Sequence, residues 1–216
     1  MQHINQNDLL NMAQPFKTQV INSLSGFKSA NLIGTCNKKG INNLAIFSSV
    51  IHLGASPALV GFITRPTSVE RHTLENIKQT KTFTINQVNT TFWQAAHQTS
   101  ARYDTDECEF DKTGLTPLIV DGIDAPFVQE SMIKYGLQLQ EIIPIELNNT
   151  LMVIGKITDI ICDEKAIKDD GYIDIESLNT VMVSGLDSYH TSKRLSRLSY
   201  AKPDKESVPI SINGAL

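Results

Sequence analysis

Apolar and polar positions change rhythm several times along this chain, and each rhythm predicts an element. Phe16, Val20, Ile21 and Leu24 fall on one helical face, and Gly26 follows as a stop. Residues 29–37 (SANLIGTCN) read as a strand and KKG at 38–40 as a tight turn. Extended structure resumes over 41–53, and GASP at 54–57 turns the chain. ALVGFITR (58–65) is β-branched and aromatic, with Gly61 allowing close approach of another backbone. Thr67 or Ser68 is placed to cap a helix over roughly 69–80, with Glu70 in its first turn and Leu74 and Ile77 as its apolar edge.

Farther on, KTFTINQV (81–88) carries Phe83, Ile85 and Val88 and predicts a strand, and TTFWQAAHQTS (90–100) a short helix. ARYDTDECEFDKTGLTP (101–117) is acidic and predicts an irregular surface loop. The clearest alternation lies in SMIKYGLQLQEIIPI: Ile133, Tyr135, Leu137 and Leu139 share one face, Lys134, Gln138 and Gln140 the other. LNNTL (147–151) is a hairpin-type connection to a return strand, LMVIGKITDIIC (151–162). Many strands at short spacing with three or so helices predict a mainly β, α+β chain: a closed antiparallel sheet with helical additions. Periodicity alone does not separate a barrel from a sandwich.

Length and composition narrow the classes. The 216 residues suit one domain with room for a core, and 41% apolar with 19% charged residues is the balance of a soluble globular chain. A net charge of −4 without a basic stripe argues against nucleic acid as a partner, and makes any bound anion depend on local compensation. Cys36, Cys108 and Cys162 are odd in number and far apart, which argues against a disulfide framework. The polar start MQHINQNDLLNMAQPF and the lack of a long apolar run predict a cytoplasmic protein with no membrane span.

Candidate chemistry is sparse. His3, His52, His72, His97 and His190 are scattered, with no metal-type spacing, so no metal is expected. GxSxG and the Gly-rich phosphate fingerprints are absent. The carboxylates Asp104, Asp106, Glu107, Glu109 and Asp111 read as a solvated face. What stands out is residues 43–76, where Ser48, Ser49, Arg65, Thr67, Ser68, Arg71 and Thr73 combine hydroxyls and guanidinium groups near a helix start. That is the inventory a phosphate requires. A helix cap with surface arginines accounts for the same residues, and the residues alone leave both readings open.

The segments TCNKKGINNLAIFSS, SPALVGFITRP and RHTLENIKQTKTFTINQV, followed by SARYDTDECEFDKTGLTP, APFVQES and GLDSYHTSKRLSRLSYAKP, resemble in order and spacing the flavin reductase-like, FMN-binding split-barrel family, over about residues 27–203. The resemblance implies an FMN-binding split β-barrel with peripheral helices over residues 15–203, an N-terminal arm over 1–14 and a C-terminal tail over 204–216. It implies a homodimer with FMN at the interface, and an oxidoreductase passing electrons from NAD(P)H through the flavin to an acceptor. A flavin-binding electron carrier or sensor that does not itself oxidise NAD(P)H is the alternative.

Carried over by position, Ala45, Ile46, Phe47, Ser48 and Ser49 would run beside the flavin ring and ribityl chain, with Ser48 reaching the phosphate side. Asn43 matches the family's turn asparagine, Arg71 and Thr73 match the Lys and Thr of its KDT helix start, and Arg65 is a further phosphate candidate. His72 stands where the commoner pattern has Asp, and SP at 56–57 replaces DPP. Tyr189 and His190 would either border the open flavin face or pack the tail. No catalytic side chain is implied, because the cofactor carries the chemistry.

Overall fold

The computed structural model describes residues 1–66, 71–104 and 106–214. In chain order it contains α1 (Gln6–Asn11), α2 (Gln14–Leu24), β1 (Lys28–Ser29), β2 (Asn31–Cys36), β3 (Asn42–Phe47), β4 (Ile51–Ala55) and β5 (Ala58–Thr64). Then come α3 (His72–Thr80), β6 (Thr82–Gln87), α4 (Trp93–Gln98), α5 (Glu109–Thr113), β7 (Pro117–Leu118) and β8 (Phe127–Val128). The long strands β9 (Ile133–Ile145) and β10 (Thr150–Cys162) precede β11 (Val181–Ser184), β12 (Ser188–Thr191), β13 (Arg197–Leu198) and β14 (Pro209–Ile210).

Seven strands form one antiparallel sheet in the order β3-β2-β6-β9-β10-β5-β4. Its two edge strands, β3 and β4, are consecutive in sequence and joined by residues 48–50. In a flat sheet, six steps of ~4.8 Å would part them by about 29 Å. The four Cα–Cα steps from Phe47 to Ile51 reach no more than ~14 Å. The sheet therefore curls until its edges meet, which makes it a barrel rather than a sandwich.

Ser49 clasps the seam. The β4–β5 register, Ile51 opposite Gly61, extrapolates to Ser49 opposite Ile63. There the Ser49 hydroxyl, rather than its backbone, completes the ladder: it accepts from the Ile63 N–H at 3.1 Å and donates to the Ile63 carbonyl at 2.9 Å.

β2 is buried on both faces, and its alternation feeds two cores. Ile33 joins Val60, Phe62, Phe83, Ile85, Leu137 and Val153 inside the barrel, where α3 contributes Leu74 and Ile77. Leu32 joins Leu44, Val88, Phe110, Val128, Val181 and Val183 on the opposite side. Inside the barrel, Phe47, Phe62 and Phe83 stack edge-to-face in series at 5.0 and 5.8 Å. Fully burying each such side chain contributes about 1.5–3 kcal/mol. Gly34 is required in β2, because a Cβ there would lie 2.1 Å from the Pro126 carbonyl oxygen.

Differences from the sequence reading have physical reasons. Residues 1–14 are not featureless: Asn5 and Asp8 form a capping box that starts α1. The apolar face of α2 exists but is not covered, since Phe16, Ile21 and Leu24 are exposed. The extended run 41–53 is broken at 48–50 by the barrel corner. Helix α3 begins at His72, so Arg71 occupies the N-cap position and not the first turn. The expected caps Thr67 and Ser68, and Glu70, lie outside the described residues. Lys134 is buried despite facing away from the apolar side of β9, because its ammonium donates to the carbonyls of Val128 and Gln129. None of the helices among the described residues is long and apolar enough to cross a membrane.

Past β12 the chain is held by two arginines. Arg194 pairs with Asp174 and Glu176, and Arg197 pairs with Asp170 and lies 4.3 Å over the Tyr172 ring.

Candidate functional site

Among the described residues, the outer edge of β3 has no strand partner. The Leu44 N–H points away from β2, since it donates to the Glu109 carboxylate at 2.9 Å. Strand alternation then sets the Ile46 N–H on the same outer edge. Along this edge lies a cavity of about 610 Å³. One wall is β3 and its corner: Asn43, Ala45, Ile46, Phe47, Ser48 and Ser49. A second wall is the end of β5 with the start of α3: Arg65, Arg71, His72 and Thr73. The ten residues that the resemblance carried over to the flavin thus line one cavity, while Thr67 and Ser68 lie outside the described residues.

Their chemistry is not uniform. Thr73, buried at the start of α3, accepts a hydrogen bond from the Asn43 amide at 3.1 Å. Its own hydroxyl hydrogen is left as a donor. The Ser49 hydroxyl is committed to the barrel seam, so what Ser49 offers a ligand is its backbone.

Arg71 is the electrostatic centre. Burial lowers its pKa, and the charges of Arg65 and Arg102 lower it further. Its Nε is buried without a hydrogen-bond partner among the described residues. Three guanidinium groups that line one cavity in an acidic protein, one of them with an N–H left without a partner among the described residues, suit an anion.

Sequence reasoning missed the third wall. Thr99, Ser100, Arg102, Tyr103 and Asp104 follow α4 and close the cavity from outside. The hydroxyls and arginine of TSARYD were the available signal, overshadowed by the acids after them. The solvated reading of those acids fails at Glu109, which is buried with 6% exposure and sits at the start of α5. Burial raises the Glu109 pKa, while the Leu44 N–H, its own backbone N–H and the His72 charge pull it back.

Tyr189 and His190 line none of the three walls. Tyr189 bonds His97 at 2.9 Å and packs on Trp93. His190 bonds Ser184 at 2.8 Å and meets Phe27 edge-on. Of the two readings, tail packing is the one the structure bears out.

Known proteins supply the frame for this geometry. Residues 24–177 match the model of the flavin reductase like domain. A protein from Shewanella frigidimarina NCIMB 400, described as a flavin reductase with a split barrel domain, is 50% identical. It superposes with a TM-score of 0.90 over 93% of this chain and 100% of its own. Nitrilotriacetate monooxygenase component B from Bacillus cereus, 20% identical, shares the fold with a TM-score of 0.80 over 92% of this chain and 98% of its own. Flavoredoxin of Desulfovibrio vulgaris (Miyazaki F), 23% identical, shares it with a TM-score of 0.67 over 83% and 92%. With its curled antiparallel sheet and anion-ready cavity, this chain belongs to the flavin reductase-like family of split-barrel, flavin-related oxidoreductases.

Proposed function

We propose that the cavity binds FMN and that the protein is an oxidoreductase drawing electrons from NAD(P)H. The observation that carries this reading is the buried Nε of Arg71, without a hydrogen-bond partner among the described residues, in a cavity that Arg65 and Arg102 also line. A flavin phosphate carries roughly −1.5 to −2 charges at neutral pH. It would give that N–H an acceptor and neutralise the mutual repulsion of the arginines. The Thr73 hydroxyl, held by Asn43, adds a donor to the same group. The Ile46 N–H on the free edge of β3 is placed to pair with a polar ring edge, while Ile46 and Phe47 give the wall an apolar body that excludes water.

A bound flavin supplies the hydride and electron chemistry; the chain binds, orients and shields it. Titration of the purified protein with FMN tests the cofactor, and failure to bind would end this reading. Anaerobic mixing of the FMN-loaded protein with NADH and with NADPH tests the reaction. Rapid bleaching with either supports the oxidoreductase, and slow bleaching with both marks an electron carrier instead.

We further infer that two copies pair. Phe16, Ile21 and Leu24 of α2 and the adjoining Phe27 are all exposed, with Leu24 at 76%. So contiguous an apolar face on a soluble chain calls for a cover, and in this family reading a second copy supplies it. Light scattering in the presence of FMN should give the mass of a dimer; a monomer at micromolar concentration would contradict the pairing.

A further inference from the structure

One acid on the cavity wall has no task in the flavin reading. Glu109 lines the cavity together with Arg65, Arg71, Thr73 and Arg102, yet it is buried. Its carboxylate accepts the Leu44 N–H at 2.9 Å. Leu44 follows Asn43 in β3, and the Asn43 amide donates to Thr73 at 3.1 Å. One residue of backbone and two hydrogen bonds therefore connect the Glu109 carboxylate to the Thr73 hydroxyl that the flavin reading gives to the phosphate. Laid end to end with the Asn43 side chain, these links span no more than ~11 Å.

The charges of the cavity do not balance once a phosphate enters. Among the described lining residues, three guanidinium groups stand with two carboxylates, Asp104 and Glu109. A phosphate of roughly −1.5 to −2 charges exceeds the single positive charge left over. Asp104 is exposed, so water and salt screen it. Glu109 is not, and a buried carboxylate close to an incoming anion is disfavoured in its charged form. The groups around it do not offset this. Strand β3 presents no titratable side chain, and α4 presents His97, which bonds Tyr189. Cys108 and Asp111 flank Glu109 on its own segment, and Tyr103 lies on the third wall. The charge of His72 opposes the burial that raises the Glu109 pKa, and burial is the larger influence.

From this arrangement we infer that Glu109 is the proton acceptor of the flavin site: its carboxylate takes up a proton from solvent when the phosphate enters beside Thr73 and Arg71, and releases it when the flavin leaves. The inference rests on the flavin reading of the cavity. The Leu44 N–H keeps its acceptor in both states, because a protonated carboxyl retains an acceptor oxygen. Burial holds the Glu109 pKa of the free protein above 4.5, and the bound phosphate raises it further. Below both values Glu109 carries its proton throughout, and binding is tightest. Between them binding draws a proton, so affinity falls as pH rises. Above both it levels at the weaker value.

The test is calorimetric titration of the full chain with FMN and with riboflavin, in wild type and Glu109→Gln, from about pH 4.5 to about pH 8 in buffers of different ionisation enthalpy. Everything else that titrates, including the phosphate itself near pH ~6, is common to both proteins and cancels in the comparison. FMN should bring more proton uptake in wild type than in the variant. Across the range, wild-type FMN affinity should fall relative to the variant by at least roughly threefold, the coupling of such charges ~10 Å apart through bulk water. Riboflavin, which lacks the phosphate, should show neither difference. Equal proton uptake with a constant affinity ratio, or the same difference with riboflavin, overturns the role of Glu109 and leaves the flavin reading in place. Absence of FMN binding to wild type at every pH overturns both. A second measurement needs no variant: in carbon-13 spectra of the glutamate carboxyls of wild type, FMN should raise the midpoint of the glutamate that titrates highest, and riboflavin should not. A midpoint that FMN leaves unmoved overturns the inference.

Discussion

The side-chain amide of Asn43 donates to the hydroxyl of Thr73 across 3.1 Å, a buried bond between the edge strand β3 and the first turn of α3. It ties together two walls of the cavity and leaves the Thr73 hydroxyl hydrogen available as a donor. Thr73→Val keeps the shape but removes both roles. It leaves the Asn43 amide without its acceptor, which costs about 1–3 kcal/mol for a buried group. Urea unfolding should show that loss as a lower midpoint, and FMN affinity should fall while riboflavin affinity changes far less.

The seam of the barrel depends on one hydroxyl. Ser49→Ala removes both bonds to Ile63, leaving its N–H and carbonyl unpaired where a strand neighbour is missing. The expected destabilisation is about 1–3 kcal/mol, read as a fall in denaturation midpoint with little change in slope. No fall would mean that the edges are held together without the clasp.

Glu109 links stability to pH. Its folded pKa is raised by burial above the ordinary value of 4.5, so the folded protein holds this proton over a range where the unfolded chain has released it. Stability from this group is thus fully present below that ordinary value. It falls as pH rises through the window between the unfolded and the raised folded pKa, then levels. Glu109→Gln keeps an acceptor for the Leu44 N–H and has no proton to release. The difference in unfolding free energy between variant and wild type should therefore shift in favour of the variant as pH rises from about 4.5. A difference independent of pH would contradict the burial argument.

Much of this was legible because local rhythm and burial agree. Phe83 and Ile85 alternate inward, Leu74 and Ile77 dock α3, and β9 and β10 follow a plain hairpin pattern. The residues that line the cavity were legible too, through the ordered resemblance around AIFSS and RHT. What the sequence did not show is long-range. The strand order, and Ser49 meeting Ile63, depend on how seven strands curl, which no local pattern encodes. Glu109 looked like one acid among five, and the edge N–H of Leu44 that its carboxylate accepts is a long-range partner no local pattern reveals. The apolar face of α2 predicted a packed helix, but Phe16, Ile21 and Leu24 on that face stay exposed.

The central claim is that Arg71 holds the phosphate of a flavin. Arg71→Ala removes the guanidinium whose Nε is buried without a hydrogen-bond partner among the described residues. A hydrogen bond to a charged group contributes about 1.5–3 kcal/mol, and each ~1.4 kcal/mol is a factor of ten. Measured by titration, the variant should bind FMN roughly ten- to a hundredfold more weakly than wild type, with riboflavin, which lacks the phosphate, nearly unchanged. Equal losses for FMN and riboflavin, or no loss for either, would contradict the account.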